Sequence, residues 1–271
     1  MPGARGGPGA CIVEGMNHPG SRGWVGLVVA LVCIGAAVAE PAAWRDEAAA
    51  LIGQCRLVTN EQGVMYFDGD DVDKAWRAAA MQSRAINAEP DNGELWADRA
   101  LSYYFLRQLE LARRDCAVAT AARPESGKAW IHQAYIVDRM INGDFAAAAI
   151  SMERAKAAGA NPSEYFSYAA DLYIHWGKPE LAIPLAEAGR AADPATTIHT
   201  LNLGHALLFT GKEAEARALY AGVLALPSEQ GLNGAEFILH DYKMIQARGL
   251  VKYPQIEGAY AWVHAFMAAK K

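Results

Sequence analysis

This sequence has few of the signatures that betray an enzyme or a nucleic-acid binder. Its 271 residues contain no GxSxG, HExxH, CxxC or GxxxxGK[ST] pattern. The nucleophile elbow, the zinc-protease helix, the dithiol pair and the phosphate-cradling loop therefore have no local basis, and neither an activity nor a cofactor is expected. Cysteine is scarce as well: of the four present, Cys11 and Cys33 precede residue 40, leaving Cys55 and Cys116. Two cysteines do not make a disulfide scaffold, and Cys116 falls at an apolar helical position where cysteine acts as a small hydrophobe. Lys and Arg number 25 against 30 Asp and Glu. No basic cluster is long enough to follow a phosphate backbone, which argues against nucleic acid as a partner. Val, Ile and Thr thin out after residue 60, so a sheet has little to build from.

Long apolar runs are also missing, with one exception near the start. Arg22 precedes the uncharged residues 23–39, which end in Ala37-Val38-Ala39 and meet Glu40 and Pro41. A basic flank, a short apolar core and a small-x-small ending form a secretory signal, with cleavage expected after Ala39. The run falls short of the roughly 20 residues that span a bilayer, so a tether to the inner membrane is the weaker alternative. Val32 stands where a lipid-attachment signal centred on Cys33 needs a small residue. Met16 is an alternative start, because the Gly/Pro-rich opening is long for a signal. Residues 1–39 are set aside from the fold. With them go two arginines and one glutamate, leaving 23 basic and 29 acidic residues and a net charge of −6.

What the chain does have is alanine at helical spacing, punctuated by proline. In residues 91–124, Trp96, Ala100 and Tyr103 recur on one helical stripe and Leu109, Ala112, Cys116 and Ala119 on a second. Pro124 stops the pair. Pro90 to Pro124 spans 34 residues, and so does Trp96 to Trp130. Pro162, Pro194 and Pro227 follow at intervals of 38, 32 and 33. Counting from Gly93, the residues Trp96, Ala100, Tyr103, Ala112, Ala119 and Pro124 match consensus positions of a known repeat. So do Ala170, Tyr173, Gly177, Ala182 and Pro194 in the unit from Ser163, and Gly204, Gly211, Ala216 and Tyr220 in the unit from Thr197. In period and residue order the chain resembles the tetratricopeptide repeat.

That resemblance implies an all-α fold, a right-handed superhelical solenoid of about five helix-turn-helix units. Residues 40–90 are expected to form an irregular first repeat, with a helix over 41–58, a loop of about a dozen residues and a helix over 72–88. Residues 91–227 hold the regular units. The third is longer by four residues, expected in its turn and its exit, and Pro184 predicts a kink or a late helix start in the fourth. Residues 228–271 leave the period. Two helices there, 235–248 and 256–269, are expected to cap the last repeat, whose core face would otherwise be bare. The acidic stretch 68–73 resembles a calcium loop, but Val72 and Ala79 stand where ligands are required. Capping of the next helix by those acids is the better account.

The resemblance also implies a concave groove lined by first-helix positions. These carry Leu101, Tyr104, Lys128, His132, Tyr135, Asp138, Arg139, Tyr168, Asp171, His175, Asn202 and His205. Trp96, Trp130, Tyr103 and Tyr173 sit at packing positions. Tyr104, Tyr135 and Tyr168 are offset from these and suit either recognition or packing. His132, His175 and His205 come from successive repeats, and Asp171 and His175 are four residues apart. A metal site is the sharper reading and groove lining the plainer one, since helix axes lie roughly 8–10 Å apart and need not bring three rings to one ion. No metal is expected. The Lys/Asn clamp with which some cytosolic members hold a C-terminal carboxylate has no counterpart here, where Ala97, Leu101 and Ile131 occupy its positions. The expected function is a non-catalytic scaffold or adaptor, exported to the bacterial envelope, that holds a protein segment or peptide in the groove. The alternatives are a periplasmic protein that binds a small ligand or metal through the groove histidines, and the same scaffold tethered by its leader.

Overall fold

Trp130 Nε1 donates to the carbonyl of Pro124 at 2.8 Å, and Trp96 Nε1 to that of Pro90 at 2.9 Å. The two intervals of 34 seen in the sequence are thus one contact repeated. The proline ends a helix, its carbonyl is left free, and the indole of the next helix takes it. Arg154 lies over the Trp130 ring and Arg99 over the Trp96 ring, 4.8 and 4.9 Å from the centroids.

The structure is a computed structural model that describes residues 40–61, 64–224 and 234–269. The leader, Pro227 and Lys270-Lys271 lie outside the described residues. Twelve α-helices are described: α1 (Pro41–Gly53), α2 (Val72–Ala88), α3 (Gly93–Phe105), α4 (Leu109–Ala122), α5 (Gly127–His132), α6 (Phe145–Ala157), α7 (Pro162–His175), α8 (Pro179–Ala192), α9 (Thr197–Phe209), α10 (Glu213–Val223), α11 (Gly234–Arg248) and α12 (Gln255–Ala269). Neighbours pair in sequence order from α1 with α2 to α9 with α10. Asn92, Ser126, Asp144 and Asn161 cap α3, α5, α6 and α7 by accepting backbone N–H groups, which is why polar residues precede these helices.

Alanine lets the pairs approach closely. Ala100, Ala112, Ala119, Ala170, Ala182, Ala186 and Ala216 are fully buried. At Gly204 even a methyl group would come within 2.6 Å of the Tyr220 ring, so this consensus glycine is a packing requirement. The turns share a second device. Two residues beyond their first helices, Gly143, Gly177 and Gly211 adopt φ of 69°, 81° and 83°, the left-handed conformation that glycine takes without strain. The equivalent place after α3 holds Arg107 at φ 62°.

Four expectations need correction. The region expected as a loop contains a two-stranded hairpin, β1 (Leu57–Thr59) and β2 (Met65–Phe67), with Leu57 opposite Phe67 and Thr59 opposite Met65. Accordingly α1 ends at Gly53, five residues before the expected 58, and Cys55 lies beyond it. Short β-branched and aromatic runs pair with each other here in preference to extending the helix. Asp71 sits at the N-cap of α2 without capping it. Its carboxylate instead accepts from the Arg56 backbone N–H at 2.8 Å and from Lys74 Nζ at 2.5 Å. The third repeat is not four residues longer: the first helices start at Gly93, Gly127, Pro162 and Thr197, 34, 35 and 35 residues apart. The long proline interval arises because Pro162 opens α7 whereas Pro124 precedes α5. Within that repeat α5 continues as a π-helix over Gln133–Ile141. Finally, α8 starts at Pro179 and continues past Pro184, so the late start expected there does not occur.

Candidate functional site

The first helices of the repeats present their inner face to α11. This helix carries two neighbouring stripes. One, Ala235, Ile238, Tyr242 and Ile245, packs into the core of the last repeat with Leu201, Leu208 and Tyr220, which is the capping role expected of it. The adjacent stripe, with Phe237, Asp241, Met244 and Arg248, faces the inner side of the repeats. Met244 joins the cluster of Tyr104, Tyr135, Ile136 and Met140. Arg248 donates to the Met140 carbonyl at 2.6 Å. Asp241 lies 3.1 Å from His205 Nε2. Past the helix, Leu250 N–H and the Tyr253 hydroxyl take the carbonyls of His175 and Ile174 at the end of α7.

Eight of the twelve groove candidates are buried: Tyr104, His132, Tyr135, Asp138, Arg139, His175, Asn202 and His205. Leu101, Lys128, Tyr168 and Asp171 stay half-buried. The polar ones hold the repeats together. His132 Nδ1 donates to the Ala97 carbonyl at 2.7 Å, and Asn202 to that of Ser167 at 3.0 Å. Each bond links a repeat to the one before it. Lys128 pairs with Asp98. Asp138 accepts from Ser151 at 2.6 Å and from Gln133 at 2.9 Å. Arg139, on the π-helix, pairs with Asp171 of α7, and His175 Nδ1 lies 3.1 Å from the same carboxylate. Burial opposes ionisation of Asp171, but the charges of Arg139 and then His175 outweigh it and hold the carboxyl well below its usual range. His205 spans Tyr220 at 2.5 Å and Asp241 at 3.1 Å. The three groove histidines thus have three separate sets of partners. Among the described residues no group of His, Cys, Asp and Glu is placed to hold a metal ion.

Tyr104, Tyr135 and Tyr168 form an edge-to-face series with centroids 6.2 and 5.1 Å apart. Their hydroxyls are held above the usual tyrosine range chiefly by burial, that of Tyr168 at about 12. Beside them α11 leaves a cavity of about 340 Å³, walled by the end of α1, the hairpin, α3, the π-helix, α7 and α11 itself. Sequence reasoning missed most of its lining, including Phe67, Phe105, Phe237, His240 and Asp241. The second stripe of α11, spaced 237, 241, 244 and 248, was the available signal for two of them, Phe237 and Asp241. Cys55 and Cys116 are both buried free thiols.

No family model and no curated protein sequence matches the chain. A solved structure described as YrrB, a TPR protein with an unusual peptide-binding site, is similar at 17% identity and a TM-score of 0.46, over 70% of this chain and 98% of that one. By its own helix pairing this chain is a solenoid of tetratricopeptide-like hairpins.

Proposed function

We propose that the chain is a non-catalytic interaction scaffold that binds a protein segment on its inner face. One observation carries this reading: the face already accepts a helix, α11, in a helix-in-groove manner, with Met244 among tyrosines and Arg248 on a backbone carbonyl. A partner segment would bear on the strip that α11 leaves open, where Leu101, Lys128, Tyr168 and Asp171 are half-buried. The groove's ionisable groups serve structure in this account. Arg139 and Asp171 join two repeats, and His205 joins α9 to α11. Residues 1–39 act as a signal that places the scaffold in the bacterial envelope, and an uncleaved leader would tether it to the inner membrane.

The test is capture from an envelope fraction by the immobilised protein, compared with Lys128→Glu and Tyr168→Ala variants whose helicity and melting match the wild type. A protein retained by the wild type and lost from both variants supports the reading. Equal retention by all three sinks the assignment of the strip. N-terminal sequencing of the exported form, expected to begin at Glu40, tests the address separately.

A further inference from the structure

The cavity under α11 has the composition of a ligand site: five aromatic rings, those of Phe67, Phe105, Tyr135, Tyr168 and Phe237, contribute to its walls. Pockets for small molecules are largely apolar and aromatic, with a few polar groups that fix orientation. Its volume, about 340 Å³, is about twice that of the roughly 150 Å³ hollow that accepts benzene, which sets the guest at roughly a dozen non-hydrogen atoms. Rings on several walls favour a flat guest, because face and edge contacts between aromatic groups are attractive beyond the area they bury.

Polarity narrows the class. Tyr135, only 8% exposed, and His240 bring polar atoms to the wall. A few such groups fix a guest's orientation, so a guest with one polar atom is favoured. Asp241 forms part of the wall, and a carboxylate there disfavours an anion. We propose that this cavity binds a neutral, planar, bicyclic aromatic molecule of indole size that carries one hydrogen-bonding group. Such a guest touches the hairpin and α11 together and so fastens the N-terminal and C-terminal ends of the solenoid to each other. The site adjoins the strip proposed for a protein segment and shares Leu101 and Tyr168 with it, but a small guest can bind whether or not a protein segment does.

The experiment uses the full chain and 5-fluoroindole, followed by fluorine NMR, with indole and naphthalene as competitors. Saturable binding with a Kd below about 1 mM is expected. Leu101→Trp, which fills the cavity, weakens it at least tenfold while circular dichroism and melting stay as in the wild type. Tyr135→Phe weakens indole several-fold and leaves naphthalene unchanged. Cross-relaxation between guest and tyrosine ring protons locates the site in the wild type, so the test stands even if Leu101→Trp does not fold. A wild type that shows no saturation, a folded Leu101→Trp that binds equally well, or a guest that contacts no tyrosine ring overturns the proposal.

Discussion

Thr59 Oγ1 lies 2.8 Å from His240 Nδ1, although 181 residues separate them along the chain. The contact joins the hairpin to α11, and Lys243 Nζ adds a weaker bond to the Thr59 carbonyl at 3.5 Å. Thr59→Val keeps the side chain's shape and deletes the hydroxyl. The loss of one partly buried hydrogen bond is expected to cost about 1 kcal/mol. Hydrogen exchange should rise in α11 and stay unchanged in α4 and α6. Equal exchange in all three helices would mean that the contact does not hold α11 in place.

A second junction ties three helices together through a buried charge. Arg99 Nε and Nη2 donate to the two Asp115 oxygens at 2.7 and 3.0 Å, and Nη1 donates to Ser83 at 2.9 Å. The side chains are 8% and 1% exposed. Arg99→Met strands the carboxylate in the interior, which costs about 3–5 kcal/mol. Replacing both residues with apolar ones of similar volume removes the stranded charge and is expected to restore much of that loss. Urea unfolding of the single and double variants checks this, and a double variant no more stable than the single one contradicts it.

Acid should loosen the solenoid in two stages. Burial, with the charge of Lys128 adding to it, lowers the affinity of His132 for a proton, and burial does the same at His199 and His240. A histidine depressed in the fold is neutral there while the unfolded chain takes up protons. Its stabilising contribution is full above the ordinary value near 6.5 and is lost as pH falls through that value towards the folded one. Asp171 is also depressed, so its contribution holds above the ordinary carboxylate value near 3.9 and fades only below it. His132→Asn keeps a donor to the Ala97 carbonyl and removes the titration. Its urea midpoint should drop less between pH 7 and pH 5 than that of the wild type. Identical drops would exclude His132 as a contributor.

Arg107 offers a gain in stability. Its φ of 62° occupies the left-handed region that glycine takes in the equivalent turns, and a side chain there costs roughly 1–2 kcal/mol. Arg107→Gly gives back part of that in unfolded-chain entropy. A net stabilisation of up to about 1 kcal/mol is expected from thermal unfolding. A lower melting temperature would show that the Arg107 side chain contributes more than its backbone costs.

The repeats were legible in the sequence because each depends on local periodicity and on one short-range device. Trp96 and Trp130 each hydrogen-bond a proline carbonyl six residues upstream, and helices 72–88, 235–248 and 256–269 followed from apolar spacing alone. The hairpin was harder to see. Leu57-Val58-Thr59 and Met65-Tyr66-Phe67 are three-residue strands, too short for alternation to stand out from a loop. The candidate site was legible only as a list of positions. Family geometry placed Tyr104, Tyr135 and His205 on the inner face, but whether that face is open depends on α11, whose Met244 is more than 100 residues from Tyr104 and Tyr135 and whose Asp241 is 36 from His205. The second stripe of α11 was written in the sequence. Its destination was not, because nothing local says which surface a stripe will meet.

The chain's own α11 packs on the inner face and meets the N-terminal hairpin. The most direct measurement places cysteines at 59 and 240 (Thr59→Cys, His240→Cys) in a full chain whose Cys11 and Cys33 are replaced by serine. The two remaining thiols are buried, and burial raises both out of their ordinary range, so they react slowly. Dibromobimane, which fluoresces only when both arms have reacted, is then added to the folded protein. Rapid fluorescence and a single linked peptide containing positions 59 and 240 are the predicted result. Labelling of each cysteine without linkage, in a protein of unchanged helicity, would contradict the account.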